Sequence, residues 1–480
     1  MQELEVDVAV IGAGTAGLGA YRAARTHGKR AVIIESGPYG TTCARVGCMP
    51  SKLLIAAAEA AHMLEHAAGF GVHAGATRID GAAVMARVRS ERDRFVGFVL
   101  EGVDAIPAED KLRGHARFTS PHTLQIDEHT LVRFQTAVIA TGSRPFVPTE
   151  LHNVGPNVIV NDDVFEWTDL PKSVAVIGTG VIGLELGQAL SRLGVRVTMY
   201  ARGGSVAQLT DPVVRETAMR VLSEEMDIRF QHLPLRATQH GDEIELTMRT
   251  TAGDEVTERY QYVLCASGRL PNVDMLGLEC TGLELSPRGI PLFDPRTMQC
   301  GASHIFIAGD ANAERPVLPE ASDHGRIAGD NAGRYPDVRP GLRRAPLTIA
   351  FTEPNVVALG RSYRELSGEG KPAFAVGQVS FHNQGRSRVM LQNRGLLRVY
   401  GEYRTGKFLG AEMIAPRGEN LGHLLAWAYQ CRLTVKEMLD MPFYHPVIEE
   451  GVRTALRDLQ ANIDKGVPPE PPGPDRTPGI

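Results

Sequence analysis

Cysteine is scarce in this chain. There are six in 480 residues, far too few for the disulfide framework of a secreted protein. Cys265, Cys280, Cys300 and Cys431 are scattered singly, and only Cys43 and Cys48 look paired. No apolar run approaches the roughly 20 residues a membrane span needs, and no basic leader precedes the first apolar stretch. Neither a membrane nor export is expected, and the location read from this is cytoplasmic. Basic blocks interleaved with aromatics are also missing: net charge is −5 and aromatics make up 6%, so the electrostatic footprint of nucleic-acid binding is lacking. What remains is an average globular composition in a chain too long for one core. Several domains are expected, acting on small molecules or protein-borne groups.

Glycine marks two repeats. Val6 to Ile11 reads as a buried strand, ends in Gly12-Ala13-Gly14-Thr15-Ala16-Gly17, and gives way to an Ala-rich helix through Arg25. Ser173 to Ile177 does the same into Gly178-Thr179-Gly180-Val181-Ile182-Gly183 and a helix-forming run. The three glycines permit a tight turn, close approach to a pyrophosphate and close helix–strand packing, with the helix N-terminus facing the phosphates. One such match is weak. Two, each with a strand before and a helix after, predict two dinucleotide-binding modules. Each repeat later offers a strand closing in a small-residue turn, Ala137 to Gly142 and Val263 to Gly268.

The modules differ at the ribose. In the first, Glu35 lies eighteen positions past Gly17 at the end of Ala31-Val32-Ile33-Ile34, where a carboxylate can bond both ribose hydroxyls. That suits an adenosine with a free 2′-OH, as in FAD. In the second, the same offset lands on Ala201, with Arg202 next. Losing the acid relieves repulsion against a 2′-phosphate and a guanidinium can bind it, so NADPH is expected over NADH. From about Ala345 strand-like alternation precedes helical patterns near Leu424 to Gln430, a separate α+β domain. The proline-rich tail from Gly466 is expected to be disordered.

Between the first module's second strand and its next helix lies Gly40-Thr41-Thr42-Cys43-Ala44-Arg45-Val46-Gly47-Cys48-Met49-Pro50-Ser51-Lys52. Four intervening residues suit neither a zinc knuckle nor a lone nucleophile, whereas a helical start could bring the sulfurs together. A reversible disulfide is the better reading. A helix N-terminus favours a thiolate, and Pro50 fits an early helical position.

With these residues the chain resembles the class I pyridine-nucleotide:disulfide oxidoreductases, most closely the dihydrolipoamide dehydrogenase branch, with glutathione reductase a cousin. The resemblance spans about residues 5 to 460. It is carried by both glycine fingerprints, the cysteine segment, Ala140-Thr141-Gly142-Ser143-Arg144-Pro145, Gly268-Arg269-x-Pro271-Asn272, Ala308-Gly309-Asp310, and His445-Pro446-x-x-x-Glu450. It implies an α/β fold: two Rossmann-like domains for FAD and NAD(P), and a C-terminal α+β dimerisation domain. The boundaries expected are 1–149 and 270–345 for the FAD-binding parts, 150–269 for NAD(P), 346–465 for dimerisation, and 466–480 for the tail.

The resemblance also implies roles. Cys48 would be the thiolate beside the flavin and Cys43 the interchange thiol. Lys52 would lie beside flavin N5, paired with Glu185, and Asp310 would hold the FAD ribitol. Thr141, Gly142 and Gly309 would belong to the FAD site, and Gly268 and Arg269 to the nucleotide sites. His445 would be the acid/base, oriented by Glu450, and would serve the partner subunit's site, so a homodimer is implied. The other fourteen histidines show no ligand-like clustering, and no metal site is expected.

Three positions depart from the family pattern: Thr41 replaces a glycine, Arg45 an asparagine, and Ala201 the acid of an NAD-using enzyme. The function expected is electron transfer between NAD(P)H and a small dithiol/disulfide or lipoyl-domain substrate through Cys43 and Cys48. The alternatives are NADPH-dependent reduction of a low-molecular-weight disulfide or a metal species, and nucleotide transhydrogenation. Mercuric reductases and large thioredoxin reductases are disfavoured, because no cysteine follows Cys431.

Overall fold

The computed structural model describes residues 2–368 and 370–467; the tail from 468 onward lies outside the described residues. The chain forms two compact units. One comprises the residues up to Gly178, Ala189–Tyr200 and His232–Arg344; the other comprises Thr179–Gln188, Ala201–Gln231 and the residues from Ala345.

In the first unit, the strand Gln2–Ile11 pairs in parallel with Ala31–Glu35 on one side and Thr130–Ile139 on the other. Ile305–Ile307 joins Thr130–Ile139 in parallel, and Thr123–Ile126 and Ala116–Ser120 extend the sheet antiparallel. Val8, Val10, Ile33 and Val138 are fully buried, as continuous apolar strands must be when both faces of a parallel sheet are covered. Helix Thr15–Arg25 covers one face, and helix Leu318–Arg334 packs on it with glycines at the crossing. A Cβ on Gly325 or Gly329 would stand 2.2 Å from the carbonyl oxygen of Ala16 or Ala20. A second parallel set, Arg196–Ala201, Ser173–Ile177, Tyr262–Cys265 and Val158–Val160, repeats the pattern.

In the second unit, five antiparallel strands run in the order Leu347–Ala350, Asn355–Gly360, Phe408–Ala415, Leu396–Glu402 and Phe374–Ser380. Helices Gly418–Gln430 and Glu450–Asp464 pack on them through Leu421, Leu425, Val452, Leu456 and Leu459. A buried carboxylate ties helix Pro212–Ser223 to this sheet. Glu412 accepts the Thr210 and Asp211 N–H groups, the Thr210 hydroxyl and the Tyr363 N–H. Asp211 caps the helix and also accepts from Arg398 and Tyr400. Four donors satisfy Glu412 where no water reaches it, which a buried charge requires. Among the described residues no helix is long and apolar enough to cross a membrane.

Candidate active site

The first glycine turn is built for a close approach. Gly12 has φ +104°, and a Cβ there would lie 2.4 Å from the Ala140 carbonyl oxygen; a Cβ on Gly17 would lie 1.8 Å from the Gly12 carbonyl oxygen. These two glycines are fixed by the protein's own packing. Gly14 is different: it caps helix Thr15–Arg25 with φ −77°, and a Cβ there would meet nothing within 4 Å. Its missing side chain leaves room at a helix N-terminus, where a pyrophosphate is favoured. Glu35 is fixed beside it, Oε2 accepting the Ala13 N–H at 2.8 Å and Oε1 the Gly37 N–H at 2.7 Å. Each oxygen keeps acceptor capacity for a ribose hydroxyl. These residues fit FAD.

The contrast makes a prediction. Gly14→Ala keeps its melting temperature as apoprotein but is purified with little FAD, whereas Gly17→Ala costs roughly 3 kcal/mol of stability from overpacking. Flavin absorbance and thermal melts of both variants check it. A fully yellow Gly14→Ala protein would mean that no ligand passes close to this backbone.

Three motifs far apart in sequence meet at Ser143. Its hydroxyl donates to Asp310 Oδ2 at 2.8 Å, and Arg269 donates to the Ser143 hydroxyl at 2.8 Å and carbonyl at 2.6 Å. Thr141 and Gly142 are pinned by Asn272: the Thr141 hydroxyl donates to the Asn272 carbonyl, whose own N–H reaches the Gly142 carbonyl. Gly142 and Gly309 both have positive φ, and a Cβ on Gly309 would press on Ala16 at 2.9 Å. Ser143 and Asn272 stand inside two of the motifs, but nothing in the local sequence marks their partners; only the fold brings them to Asp310 and Thr141.

The redox segment is two helices broken at a glycine, Thr42–Val46 and Cys48–His66. A Cβ on Gly47 would meet the Thr42 carbonyl oxygen at 3.0 Å. The break returns the chain so that Cys43 and Cys48, both thiols, are hydrogen-bonded. The hydrogen bond to Cys48, with burial, pushes the Cys43 thiol far up. Pro50 stands in the first turn, as expected. Thr41 adopts φ 59° and ψ 150°, a glycine-favouring backbone that explains the family's usual residue there, and its hydroxyl accepts the Ala44 N–H. Asn161, unremarked in sequence, donates to the Val46 carbonyl at 2.9 Å and clamps the loop between the cysteines. Beside it, burial raises the Asp162 carboxyl against the pull of Arg269 and Arg45.

Lys52 is half-buried on the redox helix, near Ser51. Glu185 is buried on helix Val181–Arg192 and accepts the Phe351 N–H at 3.0 Å. In the second fingerprint Gly178 has φ +118° and would clash with the Ala266 carbonyl oxygen if substituted, while Gly180 again faces open space; Gly183 lies in the following helix and Gly268 has φ +127°. Arg202 is exposed just past the strand ending at Ala201. Its loop is held to the glycine turn, the Thr179 hydroxyl donating to the Ser205 carbonyl and the Ala207 N–H to the Thr179 carbonyl.

His445 is 80% exposed, and its Nδ1 lies 3.0 Å from Glu450 Oε2. Burial raises Glu450, but the Val447 N–H, His445 and Arg453 outweigh it and hold the carboxyl below its usual range. An ionised Glu450 only accepts, which makes Nδ1 the protonated nitrogen and leaves the lone pair on Nε2. One grouping defies expectation. His62, Glu65 and His66 present ligand atoms within 4.8 Å of one another, because spacings of three and four residues share a helix face. The signal His-x-x-Glu-His was present in the sequence.

A family model described as pyridine nucleotide-disulphide oxidoreductase matches residues 6–325, and that family's dimerisation domain matches 347–456. A mercuric reductase of Shigella flexneri is 30% identical over 465 residues, 95% of this chain and 81% of its own. A dihydrolipoyl dehydrogenase of Geobacillus stearothermophilus is 28% identical over 459 residues, 93% of this chain and 94% of its own. The Cu(II) complex of the HOCl-induced flavoprotein disulfide reductase RclA from Escherichia coli has a TM-score of 0.79 at 21% identity, covering 95% of this chain and 99% of that one; it shows the fold alone. Mercuric reductases thus stand among the relatives, although the sequence has no cysteine after Cys431. With both models matched in order, the chain belongs to the pyridine nucleotide-disulphide oxidoreductase family, as a FAD-dependent enzyme that pairs as a homodimer.

Proposed function

We propose that this enzyme takes electrons from NADPH and delivers them through Cys43 and Cys48 to a small disulfide or lipoyl substrate. The observation that carries the reading is the hydrogen-bonded thiol pair that the broken helix brings together. Bound FAD, held by Glu35, the first glycine turn and Asp310, supplies the two-electron relay between nicotinamide and dithiol. Lys52 is the cation beside the flavin, and Glu185 is an acid of the nucleotide-binding module.

Cys43 holds its proton firmly, so it needs a base to become a nucleophile. The partner subunit's His445 takes that proton. The Cys43 thiolate attacks one sulfur of the substrate, and the departing thiolate receives the proton from the imidazolium. Cys48, as thiolate, then attacks the Cys43 sulfur and closes the disulfide, expelling the second substrate sulfur as a thiolate that takes its proton from water. The reverse sequence oxidises a dithiol. A cytoplasmic site of action fits this chemistry, since a reducing compartment supplies NADPH.

NADPH preference rests on Ala201 and Arg202. Arg202→Ala raises the KM for NADPH about tenfold, the value of one exposed charge-assisted hydrogen bond, and leaves that for NADH unchanged. Equal effects on both cofactors would end the preference argument.

A metal-ion substrate is the second reading. It is favoured by the relatives named mercuric reductase. Anaerobic titration of the holoenzyme with NADPH and NADH, followed by lipoamide, oxidised glutathione or a metal salt, tests both readings. A long-wavelength band formed by NADPH and discharged by a disulfide supports the first; discharge by the metal salt alone supports the second. Flavin bleaching without the band points instead to transhydrogenation.

A further inference from the structure

Helix Cys48–His66 carries chemistry at both ends. Its last turn presents His62, Glu65 and His66, the first half-buried and the others exposed. The imidazole rings of His62 and His66 lie 4.0 Å apart, centroid to centroid. His66 Nδ1 is 2.9 Å from the His62 carbonyl oxygen. A carbonyl only accepts, so Nδ1 carries the proton and Nε2 of His66 keeps its lone pair, the arrangement that orients metal-ligating histidines. The helix ends here, and its terminal carbonyls favour a cation.

We propose that His62, Glu65 and His66 bind a divalent cation of borderline softness: Zn(II), Ni(II) or Cu(II). Two imidazoles and one carboxylate match that class, whereas Mg(II) and Ca(II) require all-oxygen sets. Three protein ligands leave a position open for water or a further donor. The site is separate from the dithiol: fourteen residues of helix put it about 21 Å from Cys48 along the axis. It therefore binds its ion without taking part in electron transfer. By joining residues four apart it holds the last turn of the redox helix closed.

The test uses oxidised holoenzyme, in which the closed Cys43–Cys48 disulfide offers no thiolate. Titration with Ni(II) by calorimetry gives one ion per chain. His62→Ala and His66→Ala each weaken it by at least about tenfold, and Glu65→Gln by less. The electron paramagnetic resonance spectrum of bound Cu(II) shows hyperfine splitting from two nitrogens, falling to one in His66→Ala. NADPH-linked turnover of these variants matches the parent's, so loss of the site is read apart from loss of the proposed activity. Affinity unchanged by the histidine substitutions, as for an ion held through exposed Cys431, overturns the assignment, and so does a spectrum with fewer than two nitrogens.

Discussion

Cys43→Ser abolishes NADPH-driven disulfide reduction, by about a thousandfold or more, while reduction of a small dye by NADPH persists. Cys48→Ser loses as much turnover, but the two variants part in their spectra. In the parent the Cys43 thiol is hydrogen-bonded to Cys48, and that bond together with burial raises it. A serine hydroxyl at 43 still donates, so the lone Cys48 sulfur is held as thiolate, and oxidised Cys43→Ser protein carries the long-wavelength band without any reductant. Cys48→Ser leaves a protonated thiol at 43 and no band. Stopped-flow absorbance and steady-state turnover of both variants decide the matter. Turnover that survives both substitutions removes the dithiol from the electron path. The band in Cys48→Ser instead of Cys43→Ser reverses the two roles.

Local rules made the first half of this site readable. A glycine turn between strand and helix has one use for each glycine, and Gly12, Gly14 and Gly17 divide into two required by packing and one facing open space. Glu35 was legible because the ribose acid ends the second strand of such a module at a fixed offset. The rest depends on distance in sequence. Asn161 reaches Val46 across 115 positions, and Ser143 reaches Asp310 across 167; neither partner alters the pattern around the other. The Glu412 cluster was invisible for a related reason, since a glutamate inside a strand reads as a solvent-facing residue until Thr210, Asp211 and Tyr363 are brought to it. The histidine pair of helix Cys48–His66 lies within reach of helical periodicity: residues four apart look scattered along the chain and share one face around the helix.

His445→Gln lowers disulfide turnover about a hundredfold to ten-thousandfold at neutral pH, the share of a general base, and leaves dye reduction intact. Glu450→Gln has a smaller effect of the same kind, because Glu450 orients the ring instead of moving the proton. The sign of its pH dependence follows from its carboxyl being held below the usual range by the Val447 N–H, His445 and Arg453 against a raising effect of burial. A depressed carboxylate contributes fully above its unfolded value of about 4.3 and is lost only as pH falls through the lower folded value. Support of the imidazole is therefore constant through the working range, and Glu450→Gln shifts the pH profile in place of adding an acid limb. Mixing then separates a histidine acting within its own chain from one acting across the dimer. Cys43→Ser and His445→Gln homodimers are each inactive. After random exchange half the dimers are mixed, and a crossed arrangement gives each mixed dimer one intact site, so about a quarter of parental activity returns by the two-fold symmetry of the pair. If Cys43 and His445 of the same chain worked together, every site in the mixture would lack one of them, and activity would stay at the level of the separate variants.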